Sequence, residues 1–545
     1  MPEDSVRPLE RGLAVLRCLA SPGAQQMRAS DLVHATGLAR STVDRVVATL
    51  IHLGHVRQHG AELHLTPRLM TLGNAYLAAS GLTREITQRV AALADELQES
   101  VSLAVGDRDG VRFVAQSPRR RAVSVAFQVG DLLPAERCAA GAVFAADWDE
   151  SQWAAWRHRT AADPRGVAFA RLRPQPMGEA EFAGRANEAR RHGWALDDQL
   201  VEPGLVAVAV PVDAPGRSPY ALSMVSHASR HSAKDLAQLA LPRLRREATA
   251  LARLLGQGAA RPPALHRDVE PESDDAVGEA KSELGSGFLQ SLARGLAVME
   301  ALESAHGDGL PVATVAQLTG LPRTTARRCL VTLEQQGYAE HTDGHFRPLP
   351  RVLELGQARV AAMSFTDLVT PHLRTLVDRV QESASVTVLD GTDILYAARV
   401  PTVRIMAVHI AMGTRFPAYA TAMGRVLLSG LDAHRRDSVL AASELTAYTQ
   451  HTVTSPTRLR TLLAAVAEQG YAAIDEELEE GLRSVAVPIR DGDGNVIAAL
   501  NVAQHSDGTS LREASEHLLP ALREAAHAIE GDLHNVTRFS TLHIP

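Results

Sequence analysis

The stretch TGLPRTTARRCLVTLEQQGYAEHTDGHF, residues 319–346, decides how this chain folds. Gly320 makes a tight turn after the short helical run Val312 to Leu318, and Pro322 opens the next helix where a missing N–H costs nothing. Gly337 closes that helix. Along it Ala326, Cys329, Leu330 and Leu333 recur at three- and four-residue spacing and face inward. Arg323, Thr324, Thr325, Arg327 and Arg328 remain for the outer side, and no acid occurs between Gly309 and Leu333. Tyr338 to Phe346 then alternates around Asp343-Gly344, a hairpin signal. Helix, turn, helix and hairpin in this order predict a winged helix-turn-helix, whose second helix enters a major groove. There arginines pair with guanine edges, and Thr or Ser reaches bases or phosphates. A solvated helix carrying ordinary arginines is the plain alternative.

A duplication disfavours that alternative. Residues RGLAV at 11–15 return at 294–298, and a constant shift of 283 carries Gly37 onto Gly320, Gly54 onto Gly337, Gln98-Glu99-Ser100 onto Gln381-Glu382-Ser383, and Gly141 onto Gly424. A unit of this length is a whole subunit fused to its own copy, since solenoid periods are only about 20–50 residues. Copy one repeats the reader, with Gly37 in the turn, Val43, Val46, Val47 and Leu50 inward, and Arg40, Ser41, Thr42, Asp44 and Arg45 outward. His55 to Leu65 forms its wing around Gly60. Asp44 takes the place of Arg327, which predicts unequal readers and an imperfect palindrome as operator.

Composition sets the frame around these motifs. At 545 residues, 45% hydrophobic and 22% charged, the chain has the make-up of a globular protein of about four domains. Cys18, Cys138 and Cys329 show no Cys-x-x-Cys spacing, so neither a disulfide framework nor a structural zinc site is expected. The N-terminal stretch MPEDSVRPLERG lacks a signal region and no apolar run approaches the roughly 20 residues that cross a membrane, so a cytoplasmic location without membrane partners is expected. A net charge of -7 does not oppose DNA binding by a small reader. Residues 257–287, rich in Pro, Gly, Ser and acids, read as a flexible linker about 30 Å in span, which lets the halves fold separately and occupy half-sites about 34 Å apart.

LARGLAVMEAL, TGLPRTTARRCLVTLEQQGY and FRPLPRVLELG resemble the winged helix-turn-helix of the IclR family of transcriptional regulators, and most of both copies resembles that family. FPAYATAMGRVLLSGL at 416–431 and DEELEEGLRSVAVPIRDGDGNVIAALNVAQH at 475–505 are most similar to its subgroup governing aromatic-acid catabolism through the β-ketoadipate pathway. The resemblance implies an α+β fold. Each copy would join a winged helix-turn-helix to a GAF-like effector domain, an antiparallel sheet with flanking helices, through a helix near 83–99 or 366–382. The divisions expected are reader 1–78, effector-like domain 79–256, linker 257–287, reader 288–360 and effector domain 361–535.

In the second effector domain, Ser385 to Leu389, Ile394 to Ala398, Arg483 to Ile489 and Val496 to Val502 read as strands, with a hairpin turn at Asp491-Gly492-Asp493-Gly494 that lacks the ligands of a calcium loop. The family resemblance places an effector between Ala420–Gly424 and the strands carrying Ser484 and Asn501. The expected contacts are Thr421, Ala422, Met423, Arg483, Ser484 and Asn501, with Arg415 and Arg404 in reserve. An anionic aromatic acid such as protocatechuate or 4-hydroxybenzoate needs a fixed cation or convergent donors in an apolar pocket. Arg483 has an alternative, an ion pair with an acid such as Glu477 or Glu479. Copy one places Val206, Ala207 and Ser223 where copy two has Arg483, Ser484 and Asn501, so mainly the second copy is expected to sense.

Enzyme motifs are absent: no Gly-x-Ser-x-Gly, His-Glu-x-x-His, phosphate-binding Gly-Lys-Ser/Thr or dinucleotide Gly-x-Gly-x-x-Gly stands in context. The group His52, His55, His59 and His64 has no counterpart in copy two, and neither metal nor cofactor is expected; His409 reads as an ordinary strand histidine. Double-stranded operator DNA, an aromatic acid, self-association (an intrachain pseudo-dimer and a homodimer of chains) and RNA polymerase are the expected partners. A ligand-independent DNA-binding regulator with two vestigial effector domains is the competing reading.

Overall fold

The computed structural model describes residues 5–21, 27–119, 127–164, 166, 169, 172, 177–215, 217–258, 287–402, 411–506 and 510–545. Most of the expected linker, Arg404 and His409 lie outside them. The chain divides into two compact units, Met1–Ala362 with Arg538–Thr541, and Met363–Thr537 with Leu542–Pro545. Both readers and the first effector domain share one of these units.

Each reader follows its sequence closely. Ala29–Thr36 and Val312–Thr319 end at Gly37 (φ 66°) and Gly320 (φ 66°), left-handed residues that turn the chain into the second helices Arg40–His52 and Arg323–Gln335. Pro322 is the residue before the helix rather than its first, so its ring still fits without loss of a bond. Both central residues of the second wing, Asp343 (φ 51°) and Gly344 (φ 82°), are left-handed, matching the twist of strands Ala339–Thr342 and His345–Pro348. A third short strand, Leu310–Pro311 or Met27–Arg28, completes each wing sheet.

The readers pack on one another through their first helices, Arg7–Ala20 and Gln290–Ala301. The contacts are reciprocal. A Cβ on Gly12 would overlap Leu292, and one on Gly295 would stand 2.5 Å from Leu9 Cδ1. Val6 N–H donates to Thr332 Oγ1 at 2.9 Å, while Leu289 N–H donates to Thr49 Oγ1 at 2.9 Å. Gln357 Nε2 donates to Asn74 Oδ1 at 3.4 Å, and these two residues occupy equivalent positions in the repeat. A contact of residue i with j matched by j with i is the mark of a twofold interface, here built from one polypeptide.

Both effector domains are six-stranded antiparallel sheets of identical strand order. In copy two the order is Arg415–Pro417, Asp393–Val400, Ser383–Asp390, Val496–His505, Leu482–Arg490 and Ala472–Asp475. Helix Phe365–Val380 ends at Gln381 (φ 57°), as Arg84–Leu97 ends at Gln98 (φ 54°), which explains the repeated Gln-Glu-Ser: a left-handed cap and then the start of a central strand. The outer strands Arg415–Pro417 and Ala472–Asp475 are three and four residues long, too short for alternation to reveal. Helix Ala422–Ser429 packs with Pro456–Gln469 over the face that carries Ala486 and Ala499.

Candidate functional site

The reader faces come first. Arg323, Thr324, Arg327 and Arg328 are exposed along one side of their helix and Thr325 is half-buried at its base; Arg40, Ser41 and Arg45 are exposed and Thr42 half-buried in copy one. The two faces differ in charge. Arg40 Nε lies 2.9 Å from Asp44 Oδ1 and 3.1 Å from Oδ2, at positions where copy two has Arg323 and Arg327. Such an exposed pair is worth only about 0.3–0.5 kcal/mol, so phosphate can compete for Arg40, but Asp44 lowers the local positive potential. Sequence reasoning missed Thr49 and Thr332. Each is fully buried, donates to the carbonyl four residues back (Arg45 and Arg328, both 2.8 Å) and accepts the amide that joins the readers.

A cavity of about 480 Å³ opens in the second effector domain. Four of the six expected residues line it: Thr421, Met423, Ser484 and Asn501. Thr421 caps the helix Ala422–Ser429, accepting Gly424 N–H at 3.0 Å. Asn501 is 1% exposed and its Oδ1 has no hydrogen-bond partner, although it faces the cavity. An unpaired buried acceptor costs about 1–3 kcal/mol.

Two expected contacts are corrected. Ala422 is fully buried in the hydrophobic core and does not line the cavity, because the helical turn points it away from Thr421 and Met423. Arg483 does not line it either. Neighbours on a strand point to opposite faces, so with Ser484 facing the cavity Arg483 projects behind the sheet, where Nε lies 2.8 Å from Asp475 Oδ1 and Nη2 3.0 Å from Oδ2. Its acid is therefore Asp475, its cross-strand partner, rather than Glu477 or Glu479. Glu477 instead holds Arg425 at 2.6 Å and accepts Val453 N–H at 3.0 Å. Arg415 does line the cavity, at its rim, tied to Asp390.

The arginine that sequence reasoning missed is Arg399. Strand Asp393–Val400 pairs Tyr396 with Thr387 but Ala398 with Val386, leaving Ala397 as an extra residue. That bulge resets the alternation, so Tyr396 and Arg399 both face the cavity although three positions apart. Burial lowers the Arg399 pKa, yet an arginine stays charged at any physiological pH. Arg399 stands opposite Ser385, and Ser385 opposite Asn501, so a cation and two polar side chains cross the sheet in one row.

Copy one keeps the sheet and a polar row but loses the row's cation. Gln116 stands where Arg399 does, Ala207 for Ser484 and Ser223 for Asn501; Ser223 Oγ bonds Ser102 Oγ at 3.0 Å. Asp197 replaces Ile474 of the cavity lining and is fully buried. Burial pushes its pKa from 3.8 up to about 7, outweighing the Leu200 N–H that bonds its carboxylate. A raised folded-state pKa means that the folded chain holds this proton longer than the unfolded one. The contribution is therefore full below about pH 4 and is lost as pH rises to about 7. Thermal melts at about pH 5 and 8 should show a larger acid-side gain for the wild type than for Asp197→Asn; parallel curves would refute it.

Paired winged readers and a sheet-lined cavity define a DNA-binding regulator that carries a small-molecule sensor domain. The sequence profile of the bacterial transcriptional regulator IclR C-terminal domain matches residues 74–253 and 357–531, and that of the IclR helix-turn-helix domain matches 8–60 and 291–343. This chain belongs to the IclR family of transcriptional regulators, with the family's unit present twice. It is 39% identical over 249 residues, 45% of this chain and 85% of the relative, to the Pca regulon regulatory protein of Pseudomonas putida. It is 32% identical over 251 residues, 45% and 90%, to the Pca operon regulatory protein of Acinetobacter baylyi. To the p-hydroxybenzoate hydroxylase transcriptional activator of that organism it is 31% identical over 247 residues, 44% and 91%. Among the described residues no helix is long and apolar enough to cross a membrane, and no cluster of His, Cys, Asp or Glu could hold a metal ion.

Proposed function

We propose that this protein regulates catabolic genes in the cytoplasm by binding operator DNA through both readers and answering a hydroxybenzoate-class aromatic acid through the second effector domain. It acts by binding, not catalysis. The observation that carries the reading is the cavity itself: 480 Å³, within the range of about 300–1,000 Å³ typical of small-molecule sites, with Asn501 Oδ1 unsatisfied in its wall. Arg399 and Ser385 receive the carboxylate, Tyr396, Phe416 and Met423 flank the ring, and a ring hydroxyl donates to Asn501. The names of the Pca and p-hydroxybenzoate relatives support this ligand class.

The domain plan is reader 1–78, effector-like domain 79–256, linker 257–287, reader 288–360 and effector domain 361–535. Arg323, Thr324, Thr325, Arg327 and Arg328 face one half-site; Arg40, Ser41, Thr42 and Arg45 face the other, less strongly because of Asp44. One chain then does what two subunits do elsewhere, and chains associate further or engage RNA polymerase without a second copy being needed for DNA pairing. The ligand acts only by its different affinity for two states of the chain.

The test is fluorescence anisotropy of the full chain on its own upstream intergenic DNA at fixed salt, with and without 4-hydroxybenzoate or protocatechuate. Specific binding that shifts with either acid is expected. Specific binding indifferent to both acids would favour the vestigial-sensor reading, for which the lost cation of copy one's row is the motive, and binding no tighter than to scrambled DNA would refute the regulator altogether.

A further inference from the structure

The wall of copy two's cavity and the same wall in copy one differ by a coordinated set of charges. Ala420, Leu462 and Ile474 of copy two become Arg137, Arg185 and Asp197 of copy one. Two of the three, Ala420 and Ile474, line the open cavity. In copy one Arg137 is 4% exposed and runs inward from the turn before the helix, where Nε donates to Leu200 O at 2.9 Å and Nη2 to Val201 O at 2.8 Å. Arg185 reaches the same place from helix Glu179–His192, donating to Glu136 O at 2.6 Å, Leu196 O at 3.0 Å and Cys138 O at 3.3 Å. Asp197, between these segments, accepts Leu200 N–H at 2.7 Å.

We infer that the first effector domain carries its own occupant: the Arg137 side chain, held by the Leu200 and Val201 carbonyls and flanked by Arg185 and Asp197, fills the place an effector takes in copy two, so that one chain binds one effector for two readers. The two guanidinium groups tie together the turn 135–138, the strand Ala195–Asp198 and the loop after it. Those are the counterparts of the segments that a ligand would bridge in copy two. Neither arginine is tolerable without these carbonyls, because a buried charge needs compensating partners. The three residues form one device rather than three independent drifts from an ancestral site. Domain one is held in a single state, and only copy two switches.

This inference rests on copy two's cavity being the effector site, but its main test needs no ligand. Cys138 stands where Thr421 lines the open cavity; both positions are buried, so entry through the cavity rather than surface exposure is what separates them. In the full chain bearing Thr421→Cys, native-state alkylation with N-ethylmaleimide is followed for each cysteine by peptide mass spectrometry. The thiol introduced in copy two should react fast and Cys138 slowly; adding Arg137→Ala should speed Cys138 by about tenfold or more while Cys329 keeps its rate as the folding control. If Arg137→Ala abolishes the cooperative melt, Arg137→Ala with Asp197→Ile, which restores copy two's apolar pair, replaces it. Cys138 as reactive as the copy-two thiol in the otherwise unaltered chain, or unchanged once Arg137 is removed, overturns the inference. Calorimetric titration with 4-hydroxybenzoate adds stoichiometry: one site per chain supports it and two refute it. No heat at all would count against the ligand class, leaving self-occupancy to be decided by alkylation.

Discussion

Arg399→Met weakens 4-hydroxybenzoate binding about a hundredfold and leaves the affinity of the unliganded chain for its operator unchanged. A charge-assisted hydrogen bond contributes about 1.5–3 kcal/mol, and about 1.4 kcal/mol is tenfold in affinity, so loss of one bidentate contact yields this factor. Methionine keeps most of the volume, which separates lost charge from lost packing. Arg483→Met is the informative contrast. Its guanidinium serves Asp475 behind the sheet, so its removal should lower the melting temperature of the second unit and change ligand affinity by less than about threefold. Calorimetry on the two variants decides: if Arg483→Met loses the ligand and Arg399→Met keeps it, the assignment of the anchoring cation is wrong.

The second large effect concerns DNA. Gly12→Leu combined with Gly295→Leu should lower operator affinity by about 10²–10⁴, to that of a single reader, because the paired readers bind with an avidity that independent ones lack. The reason is spatial. Each glycine lets a leucine of the other reader's first helix, Leu292 or Leu9, reach its backbone, and any side chain there collides with it. Neither glycine has a left-handed φ, so the substitution is otherwise well suited to a helix, and each reader should stay folded. Anisotropy on the full operator and on an isolated half-site checks this. Equal losses on both would mean misfolded readers, and no loss on the full operator would show that the reader contact does not set half-site spacing. The same argument extends to Thr49 and Thr332, whose hydroxyls fix the register of the pair.

The readers were legible in the sequence because their signals are local. Turn glycines, helix periodicity and the Asp343-Gly344 hairpin each act within a few residues, and the repeat states them twice. The central strands were legible for the same reason, whereas the short outer strands carried too few residues to alternate. The cavity was only partly legible. Thr421, Met423, Ser484 and Asn501, chosen by likeness to the family, line it, while Arg483 was chosen by chemistry without its direction. A strand shows which residues alternate but not which alternate set meets a cavity, and a one-residue bulge at Ala397 was enough to bring Arg399 into the site unannounced.

Local spacing and repetition therefore specify two readers, two sheets and the inward face of every recognition helix, because those depend on dihedral preference and burial over a few residues. Which arginine lines the cavity, which acid pairs with Arg483, and how Arg137 comes to bond the Leu200 and Val201 carbonyls depend on groups that are 8 to more than 60 residues apart. Those contacts exist only once the sheet has closed and its ladder has chosen a register, since a shift of one residue would turn Arg399 and Arg483 to the opposite face.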